Sequence, residues 1–244
     1  MNLLRTLMLV ALIAGWQPIS AQINNSSGSI VGNGQIVKET RNISMYDRLL
    51  VDFAVKVRIT KGDPARAELE GEQNVLPYMT VAVNKGELTI GLSRKAKFKE
   101  TKPIIVTLHR ANLQTITANT ACSLTSDLPI EVAQLTIALH EACKLTASLQ
   151  VRQLDVNLTA ASSVTMRGKA DKALFRVEAA SQVAARELTV AKADVNLSGA
   201  SRAVVHVTET LSASADGVSS IRYSGNPTVT LQQATGLSTI RRSE

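Results

Sequence analysis

The sequence of 244 residues is poor in cysteine, aromatic residues and histidine, and each shortage excludes a class of protein. Its two cysteines exclude a disulfide-dense scaffold and any metal site with four thiolate ligands. Aromatic residues make up 3% of the chain, too few for the aromatic platform on which proteins stack sugars or single-stranded nucleic acid. The histidines, His109, His140 and His206, share no common spacing, so they predict no metal-binding face.

Long apolar runs are also missing once the first 21 residues are passed. No later run approaches the roughly 18 residues that a membrane-spanning helix needs, so we expect no helical span in the mature chain. The composition is nevertheless that of a folded protein, with 45% hydrophobic and 19% charged residues.

Residues 1–21 have the organisation of a secretory signal peptide. Arg5 supplies a positive charge, Leu7–Ala14 form a short apolar core, and Pro18–Ala21 end in a small residue, so cleavage is expected before Gln22. No cysteine follows the apolar core, which predicts a soluble exported chain and not a lipoprotein. We therefore expect the protein in the periplasm, on the cell surface or outside the cell, with residues 22–29 as a flexible polar leader.

A short pattern recurs through the second half of the chain: a small residue, a Ser or Cys, any residue, and an apolar residue. Successive Ser or Cys positions are separated by 21, 19, 19, 20, 18 and 19 residues. These positions are Cys122, Cys143, Ser162, Ser181, Ser201, Ser219 and Ser238. Seven copies at one period indicate a repeat architecture.

Within each copy the apolar residues alternate with polar ones, as strands require. Asp155–Ser162 and Asp194–Ser201 are nearly identical octamers two periods apart. We therefore predict an all-β fold, a right-handed parallel β-helix (solenoid) of about 19 residues per coil over residues 113–240. A β-sandwich stays open as the alternative, because frequent turn signals suit it too.

The first half, residues 30–112, has further strand-like runs with a blurred period. Turns at residues 61–64 and 84–86 separate them, and no segment has the pattern of a long helix. We expect an N-terminal part of less regular β-strands that forms one continuous domain with the repeats, spanning residues 30–240.

Several short motifs of the first half occur in an order that is similar to a known bacterial family. They are Gly32–Gly34 with Val37–Arg41, Tyr46–Asp47, Val55–Gly62, the trio Glu72, Asn74 and Leu76, and the strand from Gly86 to Leu88. Together with the later coils, over roughly residues 30–225, they resemble the domain of unknown function called "putative auto-transporter adhesin, head GIN domain".

This resemblance implies an exported protein of Bacteroidetes-type bacteria with a β-helix-like fold and no family catalytic residues. The predicted strands all belong to the coils of the solenoid. We therefore expect that none of them forms an autotransporter translocator. The sequence thus predicts a non-enzymatic, adhesin-like interaction protein of the surface or periplasm, with no cofactor, no metal site and no nucleic-acid partner.

The alternative function is a carbohydrate-active enzyme, a polysaccharide lyase or hydrolase, that uses a β-helix groove. Parallel β-helices of that kind gather acidic residues on consecutive coils. Asp155 and Asp194 share a repeat position, but the copy between them has Leu174 there, so the sequence predicts no acidic cluster and no catalytic residue.

Positive charge is concentrated in the stretch Arg94–Lys102. On a strand, Lys95, Lys97 and Lys99 would share one face, and with Lys102 they form the predicted contact for an anionic polysaccharide or a cell-envelope surface. Lysines that guard a sheet edge are the alternative. The macromolecular ligand and the oligomeric state are not predicted.

The recurrent Ser and Cys residues are predicted to form a structural ladder at a corner of the coil, where a small hydroxyl can bond to the backbone. Cys122 and Cys143 occupy this position on adjacent coils. In-register Cβ atoms about 4.8 Å apart favour free thiols, whereas an oxidising compartment favours a disulfide, so both states stay open.

Overall fold

The computed structural model describes residues 29–62, 65–93, 97–109 and 113–243. The predicted signal peptide, the leader up to residue 28 and Lys95 lie outside these residues. The fold is all-β, with 68% of the chain in strands. The one helical turn among the described residues is a 3₁₀ turn at Leu76–Tyr78, and none of their helices is long and apolar enough to cross a membrane.

The first half contributes nine short strands. They are β1 (Ile30–Val31), β2 (Ile36–Asn42), β3 (Arg48–Asp52), β4 (Lys56–Thr60), β5 (Arg66–Glu72), β6 (Met79–Asn84), β7 (Glu87–Leu92), β8 (Phe98–Glu100) and β9 (Ile105–His109). The second half contributes ten strands, several of them much longer. They are β10 (Thr115–Asn119), β11 (Ser123–Ser126), β12 (Ile130–Leu139), β13 (Lys144–Leu158), β14 (Ser163–Val177), β15 (Gln182–Leu197), β16 (Arg202–Ala215), β17 (Ser220–Ser224), β18 (Thr228–Ala234) and β19 (Thr239–Arg242).

From β10 to β19 the strands pair in parallel with the strands of the next coil, in a parallel β-solenoid of about seven turns with about 19 residues per coil. The predicted solenoid is therefore confirmed. Lys144 pairs with Ser163 and Leu158 with Val177, so the register holds along the whole of β13. Like positions stack, and each coil buries its apolar residues against its neighbours.

Inward-facing side chains form continuous ladders through the interior. One ladder is fully buried from coil to coil and consists of Ile116, Ile137, Val156, Phe175, Val195 and Ala213. Each large apolar side chain contributes about 1.5–3 kcal/mol when it leaves water. A coil alone has no partner for this face, so the core exists only in the stack.

The solenoid begins within the N-terminal half. β3 pairs in parallel with β10, and β4 pairs with β11 through Lys56–Ser123. On the far side, β7 and β9 continue the stack against β3 and β4. The strand-like stretch from Leu49 to Ile59 is divided into β3 and β4. Residues 53–55 form the corner between these two strands.

Antiparallel strands complete this end of the stack: β2 pairs with β5, β5 with β9, and β6 with β7. The carboxylate of Glu72, buried in this region, holds the loops together. It accepts the backbone N–H of Gly34 at 2.7 Å and that of Lys102 at 2.8 Å. A Cβ on Gly32 would lie 2.0 Å from this carboxylate, so a larger residue there would displace Glu72 from its contacts.

The corner before each Ser or Cys has a backbone conformation that L-residues rarely adopt. In four coils both corner residues have positive φ, for example +53° at Ala160 and +62° at Ala161. In the next three coils a glycine takes the first position with positive φ: Gly199, Gly217 and Gly236. This change matches a reversal of the corner hydrogen bonds, because Ala161 N donates forward to Ala179 O, whereas Val218 N donates back to Gly199 O.

Candidate binding face

One side of the solenoid, which we call the basic face, is built from two outward ladders that follow the Ser and Cys positions. The first ladder consists of Lys56, Ser123, Lys144, Ser163, Gln182, Arg202, Ser220 and Thr239. The second consists of Arg58, Thr125, Thr146, Thr165, Ala184, Val204, Arg222 and Arg241. Eight strands at about 4.8 Å give this face a length of about 34 Å.

Strand alternation places these side chains outward, because their neighbours in the sequence are core residues. Leu145, for example, is 1% exposed, whereas Lys144 and Thr146 on either side of it are exposed. The two ladders contain six basic residues and no Asp or Glu. Serines and threonines occupy most of the other positions, so the face offers positive charge and hydroxyl groups together.

The charges of the basic face are largely uncompensated. Arg58 is an exception, since its Nε lies 2.6 Å from Oδ2 of Asp127 at the end of β11. Lys144, Arg202 and Arg222 form no ion pair with any carboxylate of the described part of the chain. These three cations are therefore available to an anionic ligand.

A shallow groove of about 440 Å³ runs across the central coils of this face. Its lining includes the hydroxyl-bearing side chains of Thr125, Thr146 and Thr165 on three successive coils, and also the carboxylates of Asp127 and Glu187. Arg167 and Ser148 also line the groove, and Arg167 Nε donates to Ser148 Oγ at 2.5 Å. A chain-like ligand that lies along the coils would meet one hydroxyl about every 4.8 Å.

The side formed by β12 and the second halves of β13–β16, which we call the paired face, is different. There Arg176 lies 3.2 Å from Asp155, and Lys192 lies 3.9 Å from Glu209. These two ion pairs join oppositely charged side chains on this face. The two faces share the same backbone repeat but differ in electrostatic character.

The paired face holds the two aspartates that a carbohydrate-active enzyme would need. Asp155 and Asp194 both pair with Leu174, which lies between them on the intervening coil. Asp155 accepts hydrogen bonds from Arg176 Nη1 and Asn157 Nδ2, so this carboxylate is engaged by neighbours on the same face. Among the described residues, no group of three or more His, Cys, Asp or Glu side chains could hold a metal ion.

In the sequence, the four lysines of the predicted contact lie around the short strand β8. Lys97 directly precedes the strand and Lys99 lies within it, and both are exposed, while Lys95 lies outside the described residues. Lys102 lies beyond the strand, and its Nζ donates to Gly34 O at 3.2 Å. Lys102 therefore has a role in holding the N-terminal loops.

The Ser and Cys residues of the repeat stack at one corner and are buried, apart from the half-buried Ser238. The backbone N–H of one residue donates to the side chain on the next coil, as in Ser162 N to Ser181 Oγ at 3.2 Å and Ser219 N to Ser238 Oγ at 3.1 Å. Cys122 N donates to Cys143 Sγ at 3.4 Å in the same way.

The histidines lie in separate places. His140 and His206 each contact a hydroxyl one coil away, those of Thr159 and Ser224. His109 Nε2 lies 3.0 Å from Glu68 near the N-terminal end of the stack. The hydrogen bond from Arg66 and the nearby His109 hold the pKa of Glu68 below its usual value.

The basic face was missed by inspection of local charge, because its cations are far apart in the sequence. The signal was present in the repeat itself. Positions one and three residues after each Ser or Cys hold Lys144, Arg202, Arg222 and Arg241, and no acidic residue. The face is visible when the charges at equivalent positions of successive repeats are compared. It is not visible in the charge of any one contiguous stretch of sequence.

Several solved structures share this fold. A putative adhesin of Bacteroides fragilis NCTC 9343 has a TM-score of 0.82 at 18% identity, covering 88% of this chain and 100% of its own. A putative adhesin of Parabacteroides merdae ATCC 43184 has a TM-score of 0.74 at 20% identity, with coverages of 88% and 99%. A putative lipid binding protein of Parabacteroides distasonis ATCC 8503 has a TM-score of 0.71 at 18% identity, with coverages of 89% and 100%.

No curated protein matches the sequence. A family model does, over residues 45–227, which is most of the chain and includes the N-terminal coil and the repeats up to β17. The resemblance inferred from the motifs of the first half is thereby confirmed. The chain belongs to the family described as "Putative auto-transporter adhesin, head GIN domain".

Proposed function

We propose that this protein is an exported, non-enzymatic, adhesin-like protein that binds an anionic polysaccharide of a cell envelope along its basic face. The observation that carries the proposal is that two outward ladders contain six basic residues and no carboxylate, and that Lys144, Arg202 and Arg222 among them form no ion pair with a carboxylate of the described residues. The adhesin description of the family supports the same class of function.

The geometry favours a polymer over a small molecule. The basic face is long and flat, and its groove is open, whereas sites for small ligands are concave and enclose most of the ligand surface. Each exposed ion pair contributes only about 0–1 kcal/mol. Useful affinity therefore requires several contacts at once, which a chain of repeating anionic sugars can make along successive coils.

Alginate, a linear polyuronate, and neutral dextran are suitable probes for this proposal. We expect the purified mature protein to bind alginate and not dextran. The affinity should fall steeply between 0.1 M and 1 M salt, as the Debye length shrinks from about 10 Å to 3 Å. Equal binding of both polymers, or binding that resists high salt, would contradict an electrostatic face.

Two sets of variants separate the basic face from other cations. Replacing Lys144, Arg202 and Arg222 by Gln should reduce alginate affinity at least tenfold. Replacing Lys172 and Lys192 on the paired face should leave it unchanged. A loss confined to a Lys97→Gln, Lys99→Gln variant would instead place the contact at the lysines beside β8 and overturn the basic face as the site.

The enzymatic alternative is tested in the same samples. A lyase or hydrolase would create new chain ends, whereas a binding protein leaves the length of the alginate unchanged during prolonged incubation. Vesicles with and without anionic phosphatidylglycerol test a lipid surface. Binding to vesicles with no binding to alginate would overturn the polysaccharide as the ligand class.

A further inference from the structure

The two cysteines of the chain meet inside the solenoid. They precede the paired residues Ser123 and Lys144, so they occupy the same corner position on adjacent coils. Cys122 is 2% exposed and Cys143 is 0% exposed, and their Sγ atoms lie 2.7 Å apart. This separation is shorter than the contact of two sulfur atoms that are not bonded to each other.

The remainder of the ladder shows that cysteine is not needed for packing there. Val55 holds the equivalent position on the coil before Cys122, and Ser162 holds it on the coil after Cys143. Cysteine thus occurs on two adjacent coils and nowhere else in the 244 residues. No other pairing within the chain is possible.

The in-register spacing of about 4.8 Å does not keep the two thiols apart. The Cys143 side chain is directed back towards the preceding coil, where its Sγ accepts the backbone N–H of Cys122 at 3.4 Å. The backbone is held by the ladder bond from Lys144 N to Cys122 O, which is 2.9 Å long. Small rotations of both side chains would bring the sulfur atoms to bonding distance, near 2.05 Å.

We propose that Cys122 and Cys143 form a disulfide bond that links the coil of β10 and β11 to the next coil, which consists of β12 and the first half of β13. In the cell, formation of this bond rests on the export that is part of the proposed function, because structural disulfides persist in oxidising compartments. The oxidant is a small disulfide such as oxidised glutathione or a dithiol oxidase with the same chemistry.

The reaction balances as two exchange steps. The Cys143 thiolate attacks one sulfur of the small disulfide and releases one thiolate, which leaves a mixed disulfide on Cys143. Cys122 then loses its proton and attacks the Cys143 sulfur, which releases the second thiolate. Two protein thiols are oxidised, and one small disulfide is reduced to two thiols. Because both side chains are buried, the exchange takes place before the corner closes or when it opens briefly.

In the closed corner the hydrogen bond from Cys122 lowers the pKa of Cys143 to about 7, while the same contact and burial raise the pKa of Cys122. These shifts depend on the contact between the two thiols, so they do not decide which thiol reacts first in the open corner.

The test uses the purified mature protein equilibrated with oxidised and reduced glutathione, denatured without reductant and alkylated. We expect no alkylation and a mass lower by two hydrogen atoms than that of the reduced chain. Cleavage after Glu131 and Glu141 places the cysteines in separate peptides, so a cross-linked peptide pair identifies the bond. Alkylation of both cysteines after equilibration with oxidised glutathione would overturn the proposal.

Stability provides an independent measurement. A cross-link that closes a loop of this length should raise Tm by about 6–12 °C relative to the reduced protein. The double variant Cys122→Ser, Cys143→Ser restores the residue that most other coils carry and should fold, with a Tm that does not respond to reductant. Equal Tm values for oxidised wild type and this variant would also overturn the proposal.

The two proposals can fail separately. The glutathione experiment does not depend on export, so bond formation in vitro with an unprocessed chain in the cell would overturn the proposed compartment alone. Binding of alginate by a protein that keeps both thiols would overturn the disulfide alone.

Discussion

The backbone N–H of Ser162 donates to Oγ of Ser181 on the next coil, whereas Oγ of Ser162 is buried without a hydrogen-bond partner in the described structure. Two serines at the same repeat position are therefore not equivalent. One supplies an acceptor to the backbone of its neighbour, and the other supplies only its volume.

This difference predicts unequal effects of alanine at the two positions. Ser181→Ala leaves the buried N–H of Ser162 without an acceptor and should reduce the free energy of unfolding by about 1–3 kcal/mol. Ser162→Ala removes an unpaired hydroxyl and should be neutral or slightly stabilising. Urea denaturation measures both, and equal losses would contradict the directional ladder.

The strained corner predicts that a glycine is tolerated at a corner position, whereas a glycine within a strand destabilises the protein. Ala161 has φ of +62°, a conformation that costs an L-residue about 1–2 kcal/mol. Ala161→Gly relieves this strain and offsets the greater entropy of the unfolded chain, about 0.5–1 kcal/mol, so its stability should stay within about 1 kcal/mol of wild type or rise. Ala170→Gly, at a fully buried strand position, is the control and should lose stability by about 1 kcal/mol. Equal losses at both positions would contradict the assigned corner.

The two backbone hydrogen bonds that the Glu72 carboxylate accepts predict that the stability of the N-terminal loops depends on this one side chain. Glu72→Gln presents an amide donor to one of the two backbone N–H groups that the carboxylate now accepts, and should cost about 1.5–3 kcal/mol. The control is Glu70→Gln at the half-buried partner of the exposed Lys38, which should cost under about 1 kcal/mol. Thermal unfolding monitored by circular dichroism distinguishes the two, and similar Tm values would show that the buried contact is not needed.

The inward ladders predict a large penalty for charge at Leu158. This side chain is fully buried, so Leu158→Asp should cost several kcal/mol unless the carboxyl takes up a proton. Gln150 is exposed on the same strand, and Gln150→Glu should change stability by less than about 0.5 kcal/mol. Comparable denaturation midpoints for the two variants would contradict the alternation along β13.

The repeat made the coils predictable from the sequence, because a ladder position such as that of Ser162 and Ser181 recurs at a fixed period with alternating apolar neighbours. The corner conformation was not predictable in this way. Alanine usually avoids positive φ, and at Ala160 and Ala161 the stacking of neighbouring coils overrides this local preference. Tertiary contact, and not propensity, determines the turn.

The N-terminal half was predicted less completely for a related reason. The pairing of β4 with β11 joins residues 56 and 123, and no local pattern encodes a contact over that distance. The same holds for Glu72, whose partners Gly34 and Lys102 lie far away in the chain. The basic face needed the register of successive coils before its cations could be seen as neighbours.

The pairing of β4 with β11 has a consequence for the order in which the protein folds. Most coils of the second half close over about 19 residues, whereas the pairing of Lys56 with Ser123 must wait until Ser123 has been synthesised. Closing the longer loop costs about 1 kcal/mol more in chain entropy. The N-terminal strands have earlier partners of their own, since β3 pairs with β7 and β4 with β9. We therefore expect each half to form its own pairings first, and the junction of β3 and β4 with β10 and β11 to be the last part of the stack to become protected from proteases.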